Sequence, residues 1–142
     1  VLTGTRAVSR EDQQALDGQR AKKAKKLSDD SLRARAEKGR KKPSTYQQST
    51  TQYERSVWVA EYAKRLANGI CQLCLQPAPF ENAKGVSYLE THHIVWLAKC
   101  GEDTIANTVA LCPNCHKKMH IVDDKKDVEI LQQRAKPLGD GA

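Results

Sequence analysis

Cys71-Gln72-Leu73-Cys74 and Cys112-Pro113-Asn114-Cys115 are two C-x-x-C pairs separated by 37 residues, and no other feature limits the chain's fold as strongly. Each pair can wrap a tight turn around a metal ion, and four thiolates form the soft tetrahedral shell that zinc prefers. One pair alone would be a weak signal, because redox motifs and chance both produce it. Two pairs flanking one compact segment predict a single structural zinc site made of Cys71, Cys74, Cys112 and Cys115. The chain has five cysteines, an odd count that argues against a secreted disulfide framework and for metal binding in a reducing compartment. A cytoplasmic location is the expectation. Cys100, the fifth, falls in a polar loop and reads as an uncommitted thiol.

A clamp of this kind matters because little else would hold the domain together. Of 142 residues, 39% are hydrophobic and 5% aromatic, which suits one modest domain with a tail and disfavours an enzyme with a large core. No apolar run approaches the length of a membrane span, so no membrane partner is expected. The charge is unevenly spread: residues 1–55 hold 14 Lys and Arg against 7 Asp and Glu, while residues 56–142 hold 10 of each. The whole excess of +7 therefore sits in the first segment, which includes Lys22-Lys23, Lys25-Lys26 and Arg40-Lys41-Lys42. Its Ala, Arg, Lys, Gln and Glu content favours helix but offers little to bury. It reads either as a solvated tail or as a basic arm that follows a nucleic-acid backbone. Pro43 to Gln52 reads as a polar linker.

Three regions follow: a basic arm at 1–50, a folded domain at 51–136 and a tail at 137–142. Thr51-Gln52-Tyr53-Glu54 fits a capping box and predicts a helix over 51–68, stopped by Asn68-Gly69. Trp58, Tyr62 and Leu66 recur at i, i+4 and i+8 with Val59 and Ala63 beside them, and are expected to be core. Val86 to Val95 reads as a strand and Thr108 to Leu111 as a second, shorter one. Pro113 suits the first turn of a helix running through His116 to His120. A last helix is expected over about 123–135, opened by Asp123-Asp124 and packed through Val128, Ile130 and Leu131.

All four histidines, His92, His93, His116 and His120, lie within 29 residues. His116 and His120 share one helix face, one turn apart. His92 and His93 are strand neighbours, which face opposite sides unless the strand bends or ends. With four cysteines filling one metal shell, the histidines are left over for another purpose. Glu90 could brace one of them, although a surface salt bridge is the simpler reading.

Leu89-Glu90-Thr91-His92-His93-Ile94, Asp103-Thr104-Ile105-Ala106-Asn107, and Leu111-Cys112-Pro113-Asn114-Cys115-His116 with His120 together resemble the HNH nuclease motif. The resemblance runs from about Glu54 to His120 and is nearest to the zinc-stabilised, McrA-type modified-cytosine restriction endonucleases. Two departures stand out: Cys100-Gly101 replaces a common pair of glycines, and Trp96 stands where proline is frequent.

The resemblance implies an α+β fold: a small ββα-metal (HNH) core over 86–120, clamped by the four-cysteine zinc site and preceded by a helix and a basic, flexible or helical segment. It assigns His92 and His116 as ligands of a catalytic divalent ion and His93 as general base. Asn107 would brace the loop carrying His93, and His120 would be a third ligand or a phosphate contact. Lys117 and Lys118, with Arg40, Lys41 and Lys42 of the arm, are the expected DNA contacts. Imidazole ligands suit Mn²⁺, Ni²⁺ or Co²⁺, and Mg²⁺ less tightly. The function implied is a metal-dependent DNA endonuclease, the C-terminal nuclease domain of a restriction or defence enzyme with a recognition domain upstream. A homodimer is one way for single-strand centres to cut both strands. The alternatives are a zinc-stabilised DNA-binding module without catalysis and a zinc module for protein contacts.

Overall fold

The computed structural model describes residues 6–135, so the expected tail at 137–142 lies outside the described residues. The chain divides between Gln52 and Tyr53 into two units. Among the described residues no helix is long and apolar enough to cross a membrane.

The first unit runs β1 (Arg6–Ser9), α1 (Arg10–Lys25), α2 (Asp29–Lys38) and β2 (Tyr46–Ser49). Its helices are held by local chemistry. The Ser9 hydroxyl accepts the Asp12 N–H at 3.0 Å and the Ser28 hydroxyl accepts that of Ser31 at 3.2 Å, each satisfying an otherwise unpaired donor. Acidic residues lead both helices and basic residues end them, which complements the helix dipole. The exposed Arg33–Glu37 pair, 2.8 Å apart, adds only ~0.3–0.5 kcal/mol. Gln13 is the sole buried side chain of α1 and α2. The stretch expected to be an extended polar linker instead contains β2, which pairs in parallel with β1, Arg6 opposite Tyr46. That partner lies far away in sequence, so no local pattern announces it.

The second unit is built on α3 (Val57–Ala67), β3 (Glu90–His93), β4 (Thr108–Leu111), α4 (Pro113–Ile121) and α5 (Lys125–Arg134). β3 and β4 are antiparallel, with Glu90 opposite Leu111 and His93 opposite Thr108. Every residue of β4 is buried. Around it pack Ala67, Leu89, Ile94, Met119, Leu131 and Ala135. This mixed helix and strand arrangement, with β3, β4 and α4 at its centre, is the expected α+β fold.

Three local expectations need correction. Helix α3 starts at Val57, not Thr51, because Ser56 is its cap: the Ser56 hydroxyl accepts the Val59 N–H at 3.3 Å. Its stop is as expected, with Asn68 in the left-handed region at φ 50°. Of the stripe expected to be core, Ala63 is buried, with Ala67 one turn further on, but the aromatics are not core: Trp58 is 83% exposed and Tyr62 is exposed as well. Small side chains let the helix backbone approach the sheet, and that face wins over the bulkier one. The first strand is shorter than 86–95, because Asn82 holds a tight turn by accepting the N–H groups of Lys84 and Val86, with Gly85 at φ 77°.

Candidate metal centres

Four sulfur atoms converge where the loop after α3 meets the start of α4. The ligand atoms of Cys71, Cys74, Cys112 and Cys115 all lie within 4.8 Å of one another, and the Cys74 and Cys112 sulfurs are 4.0 Å apart. A tetrahedral ion with bonds of ~2.3 Å would set its sulfurs ~3.8 Å apart, so the four cysteines can hold a metal such as zinc. Burial alone would raise the Cys71 thiol, but backbone N–H groups of Cys112, Cys74 and Leu73 bring it down to about 7. Cys112 caps α4, its sulfur accepting the Cys115 N–H at 3.4 Å. Burial raises the Cys115 and Cys74 thiols, and the neighbouring Cys71 sulfur adds to the rise in both, since clustered sulfurs resist carrying several negative charges at once.

The first knuckle is strapped to the sheet by residues that sequence reasoning did not single out. Gln72 Oε1 accepts the Ala110 N–H at 2.7 Å, and the Gln72 N–H donates to the Ala110 carbonyl at 3.1 Å. From α5, Arg134 donates to the carbonyls of Gln72 at 2.6 Å and Leu73 at 2.8 Å. The knuckle thereby covers the backbone of the buried strand β4.

Further along α4 a second cluster forms. His92 from β3 and His116 and His120 from α4 place one ring nitrogen each within 4.8 Å of the others. The ring centroids are 5.2 Å (His92–His116), 5.1 Å (His92–His120) and 4.8 Å (His116–His120) apart. His92 is 1% exposed, and its Nε2 is buried without a hydrogen-bond partner. A buried polar atom left unpaired costs ~1–3 kcal/mol, which a cation at the centre of the trio would offset. Burial, reinforced by the His116 and His120 charges, pushes the His92 imidazolium down to about 3, so the ring is neutral with a lone pair to offer. Burial likewise lowers His120. The residues present fit a divalent ion.

Glu90 belongs to this cluster as the partly exposed ion-pair partner of His116. Its Oε1 lies 2.9 Å from His116 Nδ1 and its Oε2 accepts the Tyr88 hydroxyl at 2.7 Å. The Tyr88 hydroxyl, then His116, hold the Glu90 carboxyl below its usual range. With Nδ1–H committed to a carboxylate, His116 turns Nε2 toward the other rings, the arrangement metal-binding imidazoles need. Trp96 was also unassigned; its ring is tilted 5.0 Å from His120, and Lys99 Nζ lies 4.3 Å from its centre.

His93 is separate from the trio. Strand alternation turns it the other way, where its Nε2 lies 2.9 Å from Asp103 Oδ1 and its side chain is only 8% exposed. Asn107 does not touch His93. It accepts the Val95 N–H at 2.8 Å and donates to the carbonyls of Val95 at 3.0 Å and Glu102 at 2.7 Å, tying together the two ends of the loop between the strands. Gly101 in that loop is obligatory, because a Cβ there would fall 1.8 Å from the Val95 carbonyl oxygen. Cys100 takes the left-handed conformation at φ 64°, which accounts for the glycine common at its position.

Of the expected DNA contacts, Lys117 lines a cleft of 520 Å³ with Glu90, Pro113, Asn114, His116 and His120. Lys118 points instead to α5, with Nζ 3.0 Å from Asp127 Oδ2. Arg40, Lys41 and Lys42 are exposed residues of the first unit.

Residues 71–121 match the HNH endonuclease family. The type IV methyl-directed restriction enzyme EcoKMcrA of Escherichia coli (strain K12) is 38% identical over 94 residues, 66% of this chain and 34% of that protein. The chain thus spans about a third of the length of this curated relative. Among solved structures, the type IV phosphorothioation-dependent restriction endonuclease ScoMcrA aligns with a TM-score of 0.52 at 26% identity, covering 58% of this chain and 19% of that one. The modification-dependent TagI restriction endonuclease aligns over 47% of this chain and 23% of its own at 30% identity, with a TM-score of 0.42. The cysteine tetrad, the histidines and the strand pair between them all fall inside residues 71–121, the segment that matches the HNH endonuclease family and is similar to McrA-type restriction enzymes.

Proposed function

We propose that this chain is the nuclease part of a metal-dependent DNA endonuclease of restriction or defence type, with zinc on the four cysteines as its structural ion. The observation that carries the reading is the unpaired, buried Nε2 of His92 inside a three-imidazole cluster that opens on a cleft. A module that only binds DNA has no use for such a group. When bound, a divalent ion would supply charge neutralisation at the scissile phosphate and at the departing oxygen. His92, His116 and His120 would hold it, and their imidazoles suit Mn²⁺, Ni²⁺ or Co²⁺ better than Mg²⁺.

The chain's own groups do the rest. Glu90 fixes the His116 ring through Nδ1. His93 is the general base, an imidazole that takes a proton from the attacking water. Asn107 pins the loop that faces His93, and Lys117 adds positive charge to the cleft. The relatives named above are modification-directed enzymes, and we assign to this chain the cutting step of such a protein, with target selection residing in segments beyond it. Incubation of supercoiled plasmid with the chain tests the reading: nicking should appear with Mn²⁺ and vanish with chelator, and DNA binding without nicking under any divalent ion would overturn it.

His116→Ala should slow nicking strongly at low Mn²⁺ and recover in part at high Mn²⁺, because losing a ligand weakens occupancy before it affects the base. A Mn²⁺ titration of nicking rate checks this, and an equal defect at every concentration would point to phosphate positioning instead.

The basic arm is proposed to track phosphates. Residues 1–52 carry 13 Lys and Arg against 6 Asp and Glu, so their deletion removes all of the excess charge. Each lost phosphate contact should flatten the salt dependence of DNA binding by ~0.9 in slope, and five contacts by about 4–5. Binding curves across a salt series decide it; an unchanged slope would mean a solvated arm.

A further inference from the structure

We propose that Asp103 is the positioning residue for His93, holding the ring in the Nε2–H tautomer so that Nδ1 is the atom that accepts the proton. This rests on the reading of His93 as general base.

Asp103 is clamped on both oxygens. Its Oδ2 accepts the Ser56 N–H at 2.6 Å, at the capped N-terminus of α3, where the helix dipole favours a negative charge. Its Oδ1 meets His93 Nε2 at 2.9 Å. The Ser56 N–H, followed by His93, holds the carboxyl below the usual aspartate range. A carboxylate can only accept hydrogen bonds, so Nε2 must carry the hydrogen. In a neutral imidazole the lone pair is then on Nδ1, for which no hydrogen-bond partner is found among the described residues.

The same bond fixes the ring's rotation. His93 side-chain exposure is 8% and that of Asp103 is 23%, so the pair is largely screened from competing water. Asn107 contributes at one remove: its bond to the Glu102 carbonyl places the residue next to Asp103, and its bonds to Val95 anchor the chain two residues beyond His93. The role divides cleanly, Asn107 setting the loop and Asp103 setting the ring.

Asp103→Asn separates tautomer from packing. An asparagine keeps the shape and must turn its one oxygen to the Ser56 N–H, which leaves its NH2 facing His93. That NH2 can only donate, so Nε2 becomes the acceptor and the hydrogen moves to Nδ1, the wrong atom. A carboxylate that fixes a catalytic histidine in this way is worth up to ~10⁴-fold in kcat where it has been removed. We expect Asp103→Asn to lose about 10²–10⁴-fold in nicking rate at saturating DNA, with unchanged metal content and DNA affinity.

The second readout is the ring itself. Two-dimensional NMR of the chain carrying ¹⁵N-histidine reports which nitrogen of His93 is protonated, the His93 signals being identified by their absence in His93→Ala. The Nε2–H form in the wild type and the Nδ1–H form in Asp103→Asn are expected. If Asp103→Asn keeps the Nε2–H form, or switches tautomer without slowing, the proposal is overturned. If His93→Ala itself nicks at the wild-type rate, the general-base reading fails instead. Asp103→Ala, which can neither accept nor donate, should slow the reaction less than Asp103→Asn; a larger loss would mean that Asp103 acts only by holding α3.

Discussion

Cys112→Ser should leave the second unit without its metal and largely unfolded. Zinc on the four thiolates would hold together segments that the small core does not, and structural zinc contributes ~10–16 kcal/mol in zinc-finger peptides, comparable with the whole ~5–15 kcal/mol of a typical domain. The substitution is informative because serine is itself a favoured helix cap. The cap of α4, now made by the Cys112 sulfur and the Cys115 N–H, survives in the variant, so only the thiolate is lost. Metal analysis and circular dichroism read the outcome. A folded, metal-loaded Cys112→Ser protein would mean that the four cysteines do not form one site.

His93→Ala should act in the opposite way, cutting the nicking rate by ~10²–10⁴-fold while leaving fold, metal content and DNA affinity nearly unchanged. His93 stands apart from the His92, His116 and His120 trio, and Asp103 keeps its bond to the Ser56 N–H when the ring is gone. Single-turnover nicking at saturating DNA, alongside metal analysis, checks it. A near wild-type rate would remove His93 from the chemistry.

Residues whose chemistry depends on short spacing were legible in the sequence. The two C-x-x-C turns, the one-turn spacing of His116 and His120, and the Pro113 helix start are local, and each stands where the spacing puts it. What escaped depends on distant partners. Nothing in Tyr46–Ser49 reveals its pairing with Arg6–Ser9. The α3 boundary turned on a choice between two serine/threonine caps, and Ser56 has the added hold of Asp103 on its N–H. Within the stripe of Trp58, Val59, Tyr62, Ala63 and Leu66, amphipathic spacing does not say which edge packs, and the small Ala63, with Ala67, fits closer than the aromatics. Glu90 and Asp103 were visible as acids near histidines, but strand alternation alone could not say which ring each would meet. An acid two residues before His92, on the same strand face, was the usable signal for Glu90. Asp103 had none beyond its place in the loop.

We propose that the cysteines hold one ion and the histidine trio a second, exchangeable one on which cleavage depends. Chain stripped to a single tightly held zinc should be titrated with Mn²⁺ while bound metal and plasmid nicking are followed together. Nicking should be absent at one metal per chain and rise in step with the second, reaching its plateau at two. Full nicking at one metal per chain, or in chelator with the zinc still bound, would mean that cleavage does not depend on an ion at the histidine trio.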